Sequence, residues 1–421
     1  MTDSRSEVCF TPGSPSAPIQ EIPNRNRSFA YGDISTVIDK IMLSPSRENI
    51  QTLTGLRGFA ALWVVLFHVC FGAPDGYLPG FYEKIQWGLG RNIILQGVYA
   101  VDIFFVLSGF ILTYVHWHEF ESRLTLHGVV NFLSLRLARI YPMHLVVAVV
   151  LIVAAVLGVW DQKVISYGDV LRNGTLTNMW VDPSLNTPAW SVSAEWLAYL
   201  CFPIIIKLLI PIQRRDFQLL IIFFLVTVYP MCIMSFQWQW EWHYGWVAVA
   251  RVLNGFILGC MMFCVQKHFD ILNDSLWASR WCLVFLLIFM VLLVLGLPIV
   301  FLYPLIPFII VTLANARMGI AQIFGNKIVV FLGTVSFGIY MVHYPVLEIV
   351  RYAFNDYYSG VNSELNQLLL WMHLCGILGF VIAVASLCYF CIEKPSREYL
   401  KRKIGDREEQ AHQFLTQSVN G

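Results

Sequence analysis

Charge is what this sequence has least of. Only 13% of its residues are Asp, Glu, Lys or Arg, about half the roughly 25% of a soluble domain, and a water-soluble surface cannot be covered with so little. The two signs balance, 28 Lys and Arg against 27 Asp and Glu for a formal net charge of +1. No global field therefore draws nucleic acid or another polyanion. The ten cysteines are scattered, mostly within apolar runs, and the lone Cys388-x-x-Cys391 has no second pair with which to hold zinc. No metal site is expected. A repeat of fixed period is missing, which argues against solenoid and propeller architectures. So is a charged start leading into an apolar run and a small-residue cleavage site, and the first hydrophobic helix is expected to direct insertion itself.

What is present is apolar and aromatic. Hydrophobic residues make up 57% of the chain, with 14 Trp, 18 Tyr and 30 Phe, and the mean hydropathy is +0.63. Rings of this kind collect at membrane interfaces. The composition predicts an all-α polytopic membrane protein. A span needs about 20 apolar residues, and ten stretches qualify, near 53–73, 92–115, 140–160, 189–210, 217–236, 245–265, 278–297, 298–314, 327–349 and 366–392. The seventh and eighth are divided by a tight turn at Gly296-Leu297-Pro298. Residues 1–48, polar and broken by Pro12, Pro15, Pro18 and Pro23, read as a flexible cytoplasmic tail. Residues 49–397 form one transmembrane domain, and 398–421 a basic cytoplasmic tail.

Orientation follows from Lys and Arg in alternate segments. One set of segments, which includes both termini, holds 21 and the other five, with Arg57 and Arg251 inside spans. An even number of spans and this bias place both termini in the cytoplasm. The bias identifies the cytoplasmic side and not the membrane; the plasma membrane is the expected residence rather than an internal one.

Titratable side chains within a bilayer are costly unless they face a cavity or a partner, so each is a functional candidate. In the first span Arg57 and His68 are eleven residues apart, a rotation of about 1100°, roughly 20° past three full turns, so they share one helix face. His68 lies about 22 Å in from Leu53, beyond the midplane. It reads either as a hydrogen-bonded core histidine or as a base, and Arg57 as a snorkelling cation or a ligand group. The run Phe104-Phe-Val-Leu-Ser108-Gly109-Phe110 puts small residues in an aromatic span, which lets helices pack closely or lets a ligand approach the backbone. Arg136 and Arg139, just before Tyr141-Pro142, share a face at the cytoplasmic boundary, where they either anchor the helix or clamp phosphates bidentately. Trp190-Ser-Val-Ser-Ala-Glu195 carries the one carboxylate of the fourth span, which must be protonated or paired with a cation such as Arg57, Arg251 or protonated His68. His343 is a second histidine near the outer end of the ninth span, with a structural or substrate-facing role. Asp102 and Arg251 are the remaining titratable groups, and no motif assigns them roles.

Taken in order, Arg57-x10-His68, the run ending at Phe110, Arg136-x-x-Arg139-Ile-Tyr141-Pro, Trp190-Ser-Val-Ser-Ala-Glu195, Ala250-Arg251-Val-Leu-Asn-Gly, Ser336-Phe-Gly-Ile-Tyr-Met-Val-His343 and Ile392-Glu393-Lys394-Pro395 resemble the signature blocks of acyltransferase family 3. The likeness covers roughly 50–397, and seven blocks in order are far more specific than any one. It implies an integral-membrane enzyme that takes an acyl group, acetyl by expectation, from cytoplasmic acyl-CoA and passes it to a hydroxyl of a carbohydrate, lipid or small molecule. The resemblance assigns chemistry to the Arg-x10-His block and donor binding to Arg-x-x-Arg. Two departures stand out. Trp196 follows Glu195 where many relatives have a second acidic residue, so a paired-carboxylate mechanism is not expected. Only residues 393–421 follow the last span, where some relatives carry a hydrolase-like domain.

These readings combine into a site in which His68 is the general base, Glu195 orients or charges-balances its imidazole as a carboxylate does in a triad, and Arg57, Arg136 and Arg139 hold the donor. Ser108, Tyr141, Trp190, Arg251 and His343 support it or face substrate. The rival is a secondary transporter using the same buried Arg, His and Glu as an ion or substrate path. An aromatic group at Trp238, Trp240, Trp242, Tyr244 and Trp246 suits either sugar faces or an interfacial belt.

Overall fold

The computed structural model describes residues 47–71, 89–122, 124–158, 165–180, 185–212, isolated positions between 218 and 226, 244–360 and 367–405. The N-terminal tail, nearly all of the stretch 217–236 expected as a fifth span, and Trp238, Trp240 and Trp242 lie outside them. Every regular element among the described residues is helical.

The first is α1 (Arg47–Phe71). A short α2 (Leu89–Leu95) runs through a 3-10 turn into α3 (Ala100–Ser122). Then come α4 (Leu126–Val156), a short α5 (Tyr167–Gly174), α6 (Ala189–Ile212), α7 (Gly245–His268) and α8 (Ser275–Val294). Two short helices, α9 (Ile299–Leu302) and α10 (Leu305–Asn315), precede α11 (Ile320–Phe324) and α12 (Lys327–Thr334). The last are α13 (Ser336–Gly360) and α14 (Gln367–Cys388), which passes through a π turn at Tyr389–Glu393.

Seven of the described helices are long and apolar enough to cross a membrane, and the pair α12–α13, bent by 64°, adds an eighth where it is counted as one broken span. The stretch expected as a separate span at 298–314 is instead broken into α9 and α10, a shorter apolar pair. Gly296 takes φ +67 at the turn before them, a conformation that glycine adopts without steric cost. The third span starts earlier than its apolar run suggests. Thr125 caps α4 by accepting from the Gly128 amide at 3.1 Å, so the helix begins at Leu126 and carries Arg136 and Arg139 inside it rather than ahead of it.

Helix packing is set by small residues. On α3 and α7, a methyl group at Gly109 would meet the Phe256 carbonyl, and one at Gly259 would meet the Val106 carbonyl. The two backbones therefore touch, and Phe110, Phe256 and Phe263 close over the contact. Close approach through small residues is the main route to tight helix association where lipid tails remove the hydrophobic drive. The outer faces carry the opposite pattern: Leu145, Val146, Val149 and Val150 on α4 and Leu283, Leu287 and Val291 on α8 are exposed and apolar, as a lipid-facing surface requires.

Candidate active site

A small cavity of about 40 Å³ lies where four elements meet. Helix α1 contributes Arg57, α3 contributes Phe104, Phe105 and Ser108, α6 contributes Ser191, Val192 and Glu195, and the start of α13 contributes Ser336, Phe337 and Tyr340. The bend before Ser336 turns the first residues of α13 toward this space. Its wall combines four aromatic rings and two valines with five polar side chains, the mixture expected where an apolar chain must be held beside a reacting polar centre.

Glu195 accepts hydrogen bonds from the Ser108 hydroxyl and, at 2.6 Å, from the Tyr199 hydroxyl. The sequence reading offered its carboxylate a cation, Arg57, Arg251 or protonated His68, with His68 preferred in the mechanism; the structure gives it two hydroxyls and the field of Arg57 and Arg136. Opposite it, Ser191 and Tyr340 share a 2.7 Å hydroxyl pair, and Tyr340 also donates to the Pro188 carbonyl at 3.0 Å.

On the end of the bundle that the charge bias assigns to the cytoplasm, the three arginines expected to hold the donor do come together. Arg57 acts electrostatically on Arg139, Glu195 and Glu393, and Arg136 on Arg139, Glu195 and Arg397. The Arg136 guanidinium lies 5.7 Å from the centre of the Phe132 ring. Like charges so close need counter-charge or an anion. Glu393 supplies part of it from the π turn: it is 2% exposed, and one carboxylate oxygen lies 3.4 Å from Arg397. The sequence reading used the Ile-Glu-Lys-Pro block only for resemblance and missed this role. The signal was available, since a Glu amid apolar residues at a span's end calls for a cation.

His68 sits away from that cluster, at the opposite end of α1. Its Nδ1 is 2.9 Å from the Val64 carbonyl; a carbonyl only accepts, so Nδ1 carries the hydrogen and Nε2 the lone pair. It does not line the cavity but packs on His343, ring centroids 4.9 Å apart, which in turn lies 5.8 Å from the ring of Tyr340. The two histidines and the cavity wall thus form one continuous aromatic face.

Of the residues assigned support, Ser108 lines the cavity, and Trp190 packs on Phe105, which lines it too. Trp190 stands between the Phe105 ring and the Arg251 guanidinium. Arg251 and Asp102, left without roles by the sequence, form a bidentate pair at 2.9 and 2.7 Å, almost fully buried between α3 and α7. The only structural hint in sequence was that each was alone in its span. Tyr141 faces elsewhere, donating to the Gly174 carbonyl at 2.9 Å, while His144 lies 3.0 Å from the Asn173 carbonyl. Both dock the end of α5 on α4.

A helical bundle with seven apolar helices long enough to cross a membrane, and with an Arg and a Glu on the wall of a cavity between them, defines a membrane protein with a candidate binding or reaction centre inside it. The chain belongs to the acyltransferase-3 family, whose model, described as an acyltransferase domain, matches residues 50–390. It is 22% identical over 401 residues to a Staphylococcus aureus (strain COL) protein named as an O-acetyltransferase, covering 88% of this chain and 61% of that one. It is 32% identical over 187 residues to the acyltransferase MdmB of Streptomyces mycarofaciens, covering 41% and 43% of the two chains. Against the peptidoglycan O-acetyltransferase OatA of Listeria monocytogenes it is 23% identical over 391 residues, covering 84% of this chain and 56% of that one. The chain thus spans about six-tenths or less of the length of these relatives. No solved structure matches it.

Proposed function

We propose that the protein is a membrane-bound O-acyltransferase that moves an acetyl group from cytoplasmic acetyl-CoA to a hydroxyl of an acceptor, with the plasma membrane as its site. The observation that carries the reading is that Arg57 and Glu195 line one cavity while Arg136 and Arg139, from a third helix, lie within electrostatic reach of them, in a chain of this family. The names of the relatives support acetyl as the group transferred, and one of them supports a carbohydrate as acceptor. The same arrangement favours the enzyme over the transporter, because arginines beside a cavity walled in part by aromatic rings suit a donor with a phosphorylated head and a thin uncharged arm.

In this reading Arg136 and Arg139 hold the donor's phosphates, with planar forks matched to that geometry. Arg57 lies about 16 Å of helix rise below His68, so the two cannot hold the same atom; the donor's arm spans the interval. His68 takes the acceptor's hydroxyl proton on Nε2 as the hydroxyl oxygen attacks the thioester carbonyl. The carbon–sulfur bond breaks, and the proton returns to the leaving thiolate, so the histidine ends as it began. Glu195 keeps Arg57 neutralised within the apolar wall and fixes Ser108 and Tyr199.

The test is to incubate membranes containing the protein with radiolabelled acetyl-CoA. Label transfer is expected, and His68→Ala should lower it by about 10²- to 10⁴-fold, the usual contribution of a general base. Intact donor in the presence of wild-type protein would overturn the enzyme reading; activity of His68→Ala within about tenfold of wild type would move the base elsewhere.

A further inference from the structure

We propose that Arg397 is a donor-binding residue: it holds the 3′-phosphate on the ribose of coenzyme A, the phosphate farthest from the acyl end, and so makes the site prefer coenzyme A to its 3′-dephosphorylated form. The inference deepens the reading of the arginine cluster as the donor site and rests on it.

The sequence gave Arg397 no role, because it follows the last apolar stretch. The structure returns it to the cluster. Helix α14 runs through the π turn at Tyr389–Glu393 into the helical turns that carry Arg397, and the π turn packs against α4, the helix of Arg136 and Arg139. π turns inside helices are frequent at functional sites. Glu393 is the link. It is buried, its Oε1 lies 3.4 Å from Arg397 Nη1, and it is within electrostatic reach of Arg57 and Arg139 as well. Arg397 in turn acts electrostatically on Arg136. Cations from α1, α4 and the continuation of α14 thus gather round one carboxylate.

That carboxylate leaves their hydrogens unspent. Its Oε2 has no hydrogen-bond partner among the described residues, and neither has the buried Nε of Arg136. The contact to Arg397 is longer than the roughly 2.7–3.2 Å of a well-made N–H···O bond, so Arg397 is steered toward the cluster rather than clamped. Four guanidinium groups stand against Glu393 and Glu195. The excess is positive, and a buried donor without a partner in such a place fits an anion.

Exposure orders the four. The Arg397 side chain is 47% exposed, whereas Arg57, Arg136 and Arg139 are partly buried. A donor whose acyl arm leads inward past Arg57 leaves its ribose end at the surface, where the outermost cation meets it. Lys394 and Lys401 are exposed on the same stretch and would serve as well as anchors; what sets Arg397 apart is its link through Glu393 to Arg57 and Arg139.

The experiment measures kcat and KM in membranes for acetyl-CoA and for 3′-dephospho-acetyl-CoA. It uses the full chain as wild type, as Arg397→Gln, as Arg397→Met, which keeps the apolar stem, and with Arg136 and Arg139 both changed to Lys. A charge-assisted hydrogen bond corresponds to about ten- to a hundredfold in affinity, and exposure to salt puts Arg397 at the lower end, about tenfold. Wild type should therefore show a KM about tenfold lower for acetyl-CoA than for the dephosphorylated donor, with kcat alike within about twofold. Arg397→Gln and Arg397→Met should erase that preference by raising the acetyl-CoA KM alone. The double Lys variant should raise both KM values and keep the preference, because both donors carry the pyrophosphate. Thermal stabilisation by coenzyme A and by 3′-dephospho-coenzyme A, read in detergent, repeats the comparison without turnover. No preference in wild type, an equal rise of both KM values in the Arg397 variants, or an acetyl-CoA KM that does not move in them overturns the assignment. If the preference is lost in the double Lys variant and kept in the Arg397 variants, the 3′-phosphate lies on Arg136 and Arg139 and the assignment is likewise overturned. If wild type neither transfers label nor is stabilised by coenzyme A, the donor reading itself falls and the assignment with it.

Discussion

Breaking the buried Asp102–Arg251 pair from one side should be far worse than replacing both of its members. The carboxylate and guanidinium are 1% and 3% exposed and joined by two hydrogen bonds. Arg251→Met leaves a carboxylate with no cation inside the α3–α7 contact, which costs about 3–5 kcal/mol for a pair of this kind. It also removes the cation over Trp190, about 0.5–2 kcal/mol more. Asp102→Leu strands the guanidinium, which keeps the Trp190 ring, and should cost slightly less. The double variant removes both charges from an apolar interior, and such exchanges run from neutral to about 1–4 kcal/mol stabilising. Its stability should therefore lie above that of either single variant, with a coupling of at least about 3 kcal/mol. The assay is denaturation of the detergent-solubilised protein, followed by tryptophan fluorescence across the cycle. Single variants whose losses simply add in the double would refute the reasoning, because they would show that neither charge needs the other. Trp190 begins the segment carrying Ser191 and Glu195, so the singles should also lower acyl transfer, and the double should restore part of it.

Two further outcomes follow from the site. The double change of Arg136 and Arg139 to Lys keeps charge but loses the planar fork, and should raise the donor KM much more than it alters kcat. That penalty should shrink for a donor cut back to its pantetheine end; an equal penalty for both donors returns the two residues to plain anchoring. A reporter fused after Gly421 should be cytoplasmic and one placed within 161–185 should not, and opposite placement of either would put the arginine cluster on the wrong side for acetyl-CoA.

The sequence by itself determined the class of protein. A chain this poor in charge must hide itself in lipid, and its apolar stretches are long enough to span. The period of the helix put Arg57 and His68 on one face without reference to any neighbour, because helical rotation is a local property. The few titratable residues in apolar runs marked a candidate site for the same reason: burial is costly wherever they end up. Boundaries were less legible. Residues 126–139 fell outside the expected spans, yet the Thr125 cap and the packing of Phe132 make them the first turns of α4. Partners were not legible at all. Spacing fixes the face a side chain occupies along its own helix, and only packing fixes which other helix that face meets. Hence Glu195 found Ser108 and Tyr199 rather than His68, Asp102 found Arg251 across 149 residues of chain, and the imidazole beside His68 came from α13. Those choices were made by the glycines that let α3 and α7 touch and by the bend between α12 and α13. They depend on the azimuth and depth of whole helices, which no stretch of sequence carries alone.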